Sequence, residues 1–194
     1  MAILQFKVEA KHIDDNPSFN LEDRKLLHKI NLETNTVEVD GIEYEITDPV
    51  FPTVDWTDPY KLTDKEEAVM CSLEQAFLNC EKLQRHMALL LEKGSLYKIE
   101  NNTLMYHACV PLNPDGTLKE VNIYGKTYKG KALFDAVDKY VRDAFTAKDP
   151  ESRKRGCDLL WYLWLGEGSP LFAKSKMATF EIYLIEDKAA RKEV

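Results

Sequence analysis

Ile3, Phe6, Ala10 and Ile13 recur at the spacing of one helix face and predict a helix running from the first residues. Residues 21–30 predict a second, short helix. From residue 36 the apolar period drops to two: Val37 and Val39, then Ile42, Tyr44 and Ile46, flank Asp40-Gly41, a pair that suits the type I′ turn of a tight hairpin. Pro49, Pro52 and Pro59 break up residues 47–62, which leaves them extended or looped. Thr63-Asp64-Lys65-Glu66 has the spacing of a capping box, and a long helix follows it to Lys93. Its stripe, with Val69, Leu73, Phe77, Met87 and Leu90 among its members, is expected to be buried, and Gly94 suits a left-handed stop.

Beyond Gly94, residues 95–99 and 103–110 predict a hairpin around Asn101-Asn102, since asparagine tolerates positive φ. The second strand is apolar on both faces, which predicts a central position. Pro114-Asp115-Gly116 marks a turn, and residues 121–123 and 126–128 a small hairpin around Gly125. Leu133, Phe134, Val137 and Val141 belong to another amphipathic helix, and residues 157–165 form a short apolar one ended by Gly166 and Gly168. A loop with Lys174 and Lys176 leads to a strand over 179–185. The whole is α+β, with long helices packed on a mixed sheet. It is expected to be a single partial domain over 1–194: helices, hairpin and Pro-rich loop in 1–62, then long helix, central hairpin and C-terminal helices and strand in 63–194. The uncapped start and open, charged end predict a piece of a longer protein.

Of the 194 residues, 44% are hydrophobic, enough for one sizeable core. The 26 Lys and Arg against 33 Asp and Glu leave a net charge of −7, which repels a phosphate backbone, so nucleic acid is not an expected partner. The basic run Arg153-Lys154-Arg155 stands beside Asp149 and Glu151 and is expected to be a solvated helix end. No apolar run approaches the roughly 20 residues of a membrane span, and the N-terminus lacks the regions of a signal peptide. Cys71, Cys80, Cys109 and Cys157 form no CxxC pair, which predicts a reduced, cytoplasmic protein. In one helix, Cys71 and Cys80 would project to opposite sides and could not share an ion. Apolar faces left uncovered would favour self-association.

His107 carries most of the chemical information. It lies near the end of an apolar strand, where an imidazole costs free energy unless both nitrogens find partners. On type and position alone, such a histidine is more often structural than a metal ligand. Cys109 falls on the same strand face by the two-residue period, yet two ligands do not make a site. His86, beside Arg85, reads as a solvated or capping pair, and no constellation surrounds His12 or His28. Lys174 and Lys176 are mobile point charges that could meet a phosphate. Gly166-Glu167-Gly168 lacks the third glycine and the strand-turn-helix setting of a dinucleotide fingerprint.

Three segments in order, Lys82-Leu83-Gln84-Arg85-His86-Met87, Lys93-Gly94-Ser95-Leu96-Tyr97 and Leu104-Met105-Tyr106-His107-Ala108-Cys109-Val110-Pro111-Leu112, resemble class III fructose-1,6-bisphosphatases of Firmicutes and related bacteria. Gly130-Lys131-Ala132-Leu133, Trp161-Tyr162-Leu163-Trp164, Ser169-Pro170-Leu171-Phe172 and Lys176-Met177-Ala178-Thr179-Phe180-Glu181 extend the resemblance over most of the chain. It implies a partial fold of the calcineurin-like metallophosphoesterase type and hydrolysis of fructose 1,6-bisphosphate in gluconeogenesis, with Mn²⁺ as cofactor. It also implies that His107 is a metal ligand and that Lys174 and Lys176 are phosphate contacts. The family's Asp-x-His, Gly-Asp-x-x-Asp-Arg, Asn-His-Asp/Glu and later Gly-His segments are absent from this sequence. Ala108, Ala173 and Ile182 also depart from the family's usual Gly, Gly and Arg. The chain alone is therefore expected to be inactive. The alternatives are a related phosphatase with another phosphoester substrate and a non-catalytic remnant or interaction module.

Overall fold

The computed structural model describes residues 2–172, 185 and 187–189. Among them are five α-helices and seven short strands, an α+β chain that divides into two compact units, residues 1–74 with 176–194, and residues 75–175. The strand expected over 179–185 and the loop lysines Lys174 and Lys176 lie outside the described residues. No helix among the described residues is long and apolar enough to cross a membrane.

In the first unit, α1 (Ala2–Asp15) turns Phe6, Ala10 and Ile13 inward, as their spacing predicts. Residues 21–30 do not form the short α-helix expected of them. Two 3₁₀ turns, Glu22–Arg24 and Leu27–Lys29, stand there instead, separated where Lys25 adopts an extended conformation. Strands β1 (Ile30–Asn31), β2 (Thr36–Val39) and β3 (Ile42–Glu45) follow as an antiparallel sheet. Asp40 and Gly41 both have positive φ, 54° and 78°, the geometry of the predicted turn. Val37, Val39 and Tyr44 face a core with Phe6, Leu26, Leu27, Ile46 and Ile185. The capping box forms as read: the Thr63 amide donates to the Glu66 carboxylate at 2.8 Å, and the Glu66 amide donates to the Thr63 hydroxyl at 3.3 Å. Sequence patterns gave no sign of a partner from outside the box. Lys7, only 3% exposed, reaches the same carboxylate at 2.8 Å and the Thr53 carbonyl at 2.6 Å.

The single long helix expected after Thr63 is two helices, α2 (Asp64–Leu78) and α3 (Glu81–Lys93). Cys80 is extended, at φ −83° and ψ 94°, and the Phe77 carbonyl accepts from the Cys80 amide at 3.4 Å and the Gln84 side chain at 3.2 Å. The stripe is amphipathic as read but not buried: Phe77 is 61% and Leu90 62% exposed, because no described residue forms a layer over it. Gly94 is not left-handed either. Its φ of −82° is open to any residue, and what it needs is space, since a Cβ there would lie 2.5 Å from the Leu90 carbonyl oxygen.

Two more antiparallel hairpins follow, β4 (Tyr97–Glu100) with β5 (Thr103–Tyr106), and β6 (Val121–Ile123) with β7 (Lys126–Tyr128). Asn101 and Asn102 take φ of 49° and 59°, as the turn between β4 and β5 requires. Each of these hairpins is its own two-stranded sheet, so the described residues contain no mixed sheet and β5 is not central. A mixed sheet needs parallel neighbours joined by crossovers, whereas tight turns connect these pairs. Helices α4 (Lys131–Thr146) and α5 (Pro150–Leu165) bury Leu133 and Val137 on one and Leu159 and Leu163 on the other. Asp149 caps α5 by accepting from the Ser152 amide at 2.8 Å, so this helix starts earlier than its apolar run, and Arg153-Lys154-Arg155 lies within it.

Gly156 sets the closeness of α4 and α5, since a Cβ there would fall 1.8 Å from the Cβ of Ala144. Gly156→Ala is expected to lower stability by about 1–3 kcal/mol through this overlap. Ala144→Gly in the same chain should recover part of the loss. Urea midpoints of the three proteins check this, and an unchanged midpoint for Gly156→Ala would show that the crossing tolerates a methyl group.

Candidate functional site

His107 sits in the bend immediately after β5, where the chain leaves the hairpin. It is exposed, so water can satisfy its ring and the desolvation cost expected of a strand-buried imidazole does not arise. Its ring makes no hydrogen bond to another described residue. Cys109 does not share a strand face with it, because both lie beyond the last ladder pair, Tyr97 with Tyr106.

Cys109 instead fastens this segment to the loop after α5. Its amide donates to the Pro170 carbonyl and its thiol to the Ser169 carbonyl, each at 3.4 Å. That loop is itself fixed: the buried Ser169 hydroxyl donates to the Leu163 carbonyl at 2.7 Å and accepts from the Leu171 amide at 3.1 Å. The tether brings the His107 bend to the Ser169-Pro170 loop. Burial pushes the Cys109 thiol pKa up, which disfavours the thiolate a metal would need. Cys71, Cys80 and Cys157 are exposed. A thiol-exchange reagent is therefore expected to titrate three cysteines fast and the half-buried Cys109 more slowly; Cys109 reacting with the fast group would show that its tether does not shield the thiol.

Among the described residues, no group of three or more His, Cys, Asp or Glu side chains could hold a metal ion. The described donors near His107 do not by themselves fit a two-ion centre. The other histidines lie apart from this bend in the chain. His86 is exposed on α3. His28, in the first unit, shares a 2.7 Å hydrogen bond with the Tyr60 hydroxyl, and burial together with Lys29 and Lys25 lowers its pKa. That pairing spans 32 residues and has no signature in the sequence.

Beside the His107 segment lies a concavity of about 220 Å³, lined by Tyr97, Ile99, Leu104 and Tyr106 of the hairpin and by Leu118 and Phe134 among others. At its rim the Tyr97 hydroxyl donates to Asp135 at 2.9 Å, and Lys131 donates to the other oxygen of that carboxylate at 2.5 Å. Lys131 is thus already paired. The i,i+4 spacing of Lys131 and Asp135 was a legible signal for their contact, but the part played by Tyr97 was not. Arg142 holds the approach to β4, donating to the Gly94 carbonyl at 2.8 Å and also to the Leu91 carbonyl.

The described residues form an α+β framework of five α-helices and small antiparallel sheets. A family model described as Firmicute fructose-1,6-bisphosphatase matches residues 1–194. The chain belongs to that family. It is 48% identical over 189 residues to a protein of Clostridium novyi (strain NT) named fructose-1,6-bisphosphatase class 3, covering 97% of this chain and 28% of the relative. A protein of the same name from Clostridium acetobutylicum is 49% identical over 189 residues, with 97% and 28% covered. One from Phocaeicola vulgatus is 47% identical over 196 residues, with 100% and 29% covered. The chain therefore spans less than a third of the length of these curated relatives. No solved structure matches it.

Proposed function

We propose that the chain is a segment of a cytoplasmic, metal-dependent sugar phosphatase that hydrolyses fructose 1,6-bisphosphate to fructose 6-phosphate and phosphate in gluconeogenesis. The observation that carries this reading is His107, an exposed imidazole without a hydrogen bond to another described residue, on a bend that Cys109 ties to the Ser169-Pro170 loop. In the full-length protein His107 supplies one ligand to a Mn²⁺ centre of the metallophosphoesterase type, completed by residues outside this chain. Such a centre would activate water and offset negative charge on the phosphate. The chain's own part is to present the imidazole on the bend after β5, with Lys174 and Lys176 as its phosphate contacts. Family membership and the name shared by the relatives support the substrate.

Two proteins test this. The chain alone, supplied with Mn²⁺ and fructose 1,6-bisphosphate, is expected to release no phosphate. A chimera in which it replaces the matched stretch of the Clostridium acetobutylicum relative is expected to release it. Hydrolysis by the isolated chain would overturn the division of ligands, and a folded but inactive chimera would count against the phosphatase role of this segment.

A further inference from the structure

The Pro-rich loop of the first unit lays Phe51, Val54 and Tyr60 against the core of Leu26, Leu27 and Val37. It is pinned at Thr53, whose carbonyl accepts from the Lys7 ammonium at 2.6 Å, and at Tyr60, whose hydroxyl meets Nδ1 of His28 at 2.7 Å. The direction of the second bond follows from what else reaches the phenol oxygen. The His28 amide donates to it at 3.4 Å and the Leu27 amide also favours it as an acceptor, so its lone pairs are engaged and its hydrogen is left for Nδ1. The imidazole in this state is neutral and carries its proton on Nε2. An imidazolium would set a further hydrogen, on Nδ1, against an oxygen already receiving both amides. It would also add a cation to a cationic corner: the Lys25 ammonium lies 5.3 Å from the centre of the Tyr60 ring, and Lys29 is the next residue. Asp14 and Glu22 bind Lys25 at 2.7 and 3.3 Å, and Glu33 lines an open concavity with His28, Lys29 and Trp56. Partial burial, Lys29 and Lys25 accordingly lower the His28 pKa below 6.5, and Glu22 offsets them only in part.

We propose that the His28–Tyr60 bond is a proton-operated latch: protonation of His28 frees residues 55–61 from the Leu27–Lys29 turn, while the Lys7 pin at Thr53 stays closed. A group whose charged form is disfavoured by folding favours closure above its ordinary 6.5, and closure weakens as pH falls below it. The Lys7 pin does not open in that range, because Lys7 is paired with Glu66, whose carboxyl stays ionised down to about 2. The segment that moves carries Trp56, which stacks edge-on against Phe51 with ring centres 5.6 Å apart. The latch lies wholly in the first unit and does not involve His107, so it stands or falls apart from the phosphatase reading.

Acrylamide quenching of Trp56, in the chain carrying Trp161→Phe and Trp164→Phe, reads the latch. The quenching constant is expected to rise about twofold as pH falls from about 7.5 to about 5.5, with far-ultraviolet circular dichroism unchanged. His28→Asn, whose Oδ1 takes the place of Nδ1 and does not titrate, should hold the low value throughout. Tyr60→Phe, which keeps the ring and loses the hydroxyl, should show the high value throughout. Nitrogen NMR of the His28 ring in the unsubstituted chain needs no variant: at the higher pH, Nδ1 should be unprotonated. A quenching constant that does not change with pH, or that changes as much in His28→Asn, would overturn the latch, and so would a proton on Nδ1 at the higher pH.

Discussion

His107→Ala in the active chimera is expected to lower kcat/KM by at least about 100-fold, and to lower the Mn²⁺ retained after gel filtration. The loss follows from removing a ligand for which this segment offers no substitute. Cys109, two residues on, donates its thiol hydrogen to the Ser169 carbonyl, and partial burial pushes its pKa up, away from the thiolate. His86, exposed on a different helix, is the control: His86→Ala should turn over as the chimera does. Because His107 is exposed and makes no described hydrogen bond, its truncation should leave the thermal midpoint where it was, which separates a ligand from a structural residue. Unchanged turnover in His107→Ala would end the metal role.

Lys7→Met is expected to destabilise the first unit by about 3–5 kcal/mol, the penalty for removing one partner of a buried ion pair. The Lys7 ammonium is fully enclosed and bonds both Glu66 and the Thr53 carbonyl, so one side chain joins α1, the Pro-rich loop and the cap of α2. Trp56 fluorescence, in a chain whose Trp161 and Trp164 are replaced by Phe, follows this unit in urea. A second signature comes from pH. Burial pushes the Glu66 carboxyl up, but Lys7 and the Thr63 amide outweigh it and hold the carboxyl at about 2, below its ordinary 4.5. A depressed carboxyl contributes stability that is present above pH 4.5 and is lost as pH falls toward 2. Lys7→Met should flatten that acid dependence, and Lys7→Met with Glu66→Gln should recover part of the stability. Equal midpoints and equal acid slopes for Lys7→Met and the unchanged chain would refute the coupling.

These two residues were not equally legible. His107 stood out because it interrupts an apolar run and falls within an ordered set of family-like segments. Lys7 did not, since a lysine on an amphipathic helix is ordinarily solvated and its partners lie 46 and 59 residues away. Cys109 was placed by strand periodicity on the face of His107, which failed because the ladder ends at Tyr106.

The sequence by itself determined what depends on neighbours along the chain. The three two-residue turns need positive φ, which Asp40-Gly41, Asn101-Asn102 and Tyr124-Gly125 adopt, and the Thr63–Glu66 box and the stripes of α1 and α4 follow from spacing alone. Tertiary structure alone decided what those elements meet: the break at Cys80, the separation into small antiparallel sheets, the burial of Lys7 and the tether from Cys109 to Ser169. An apolar stripe specifies that a face should be covered but not by what. For that reason α1 is buried, whereas the stripe of α3 and one face of the β4–β5 hairpin, with the same kind of pattern, stand open.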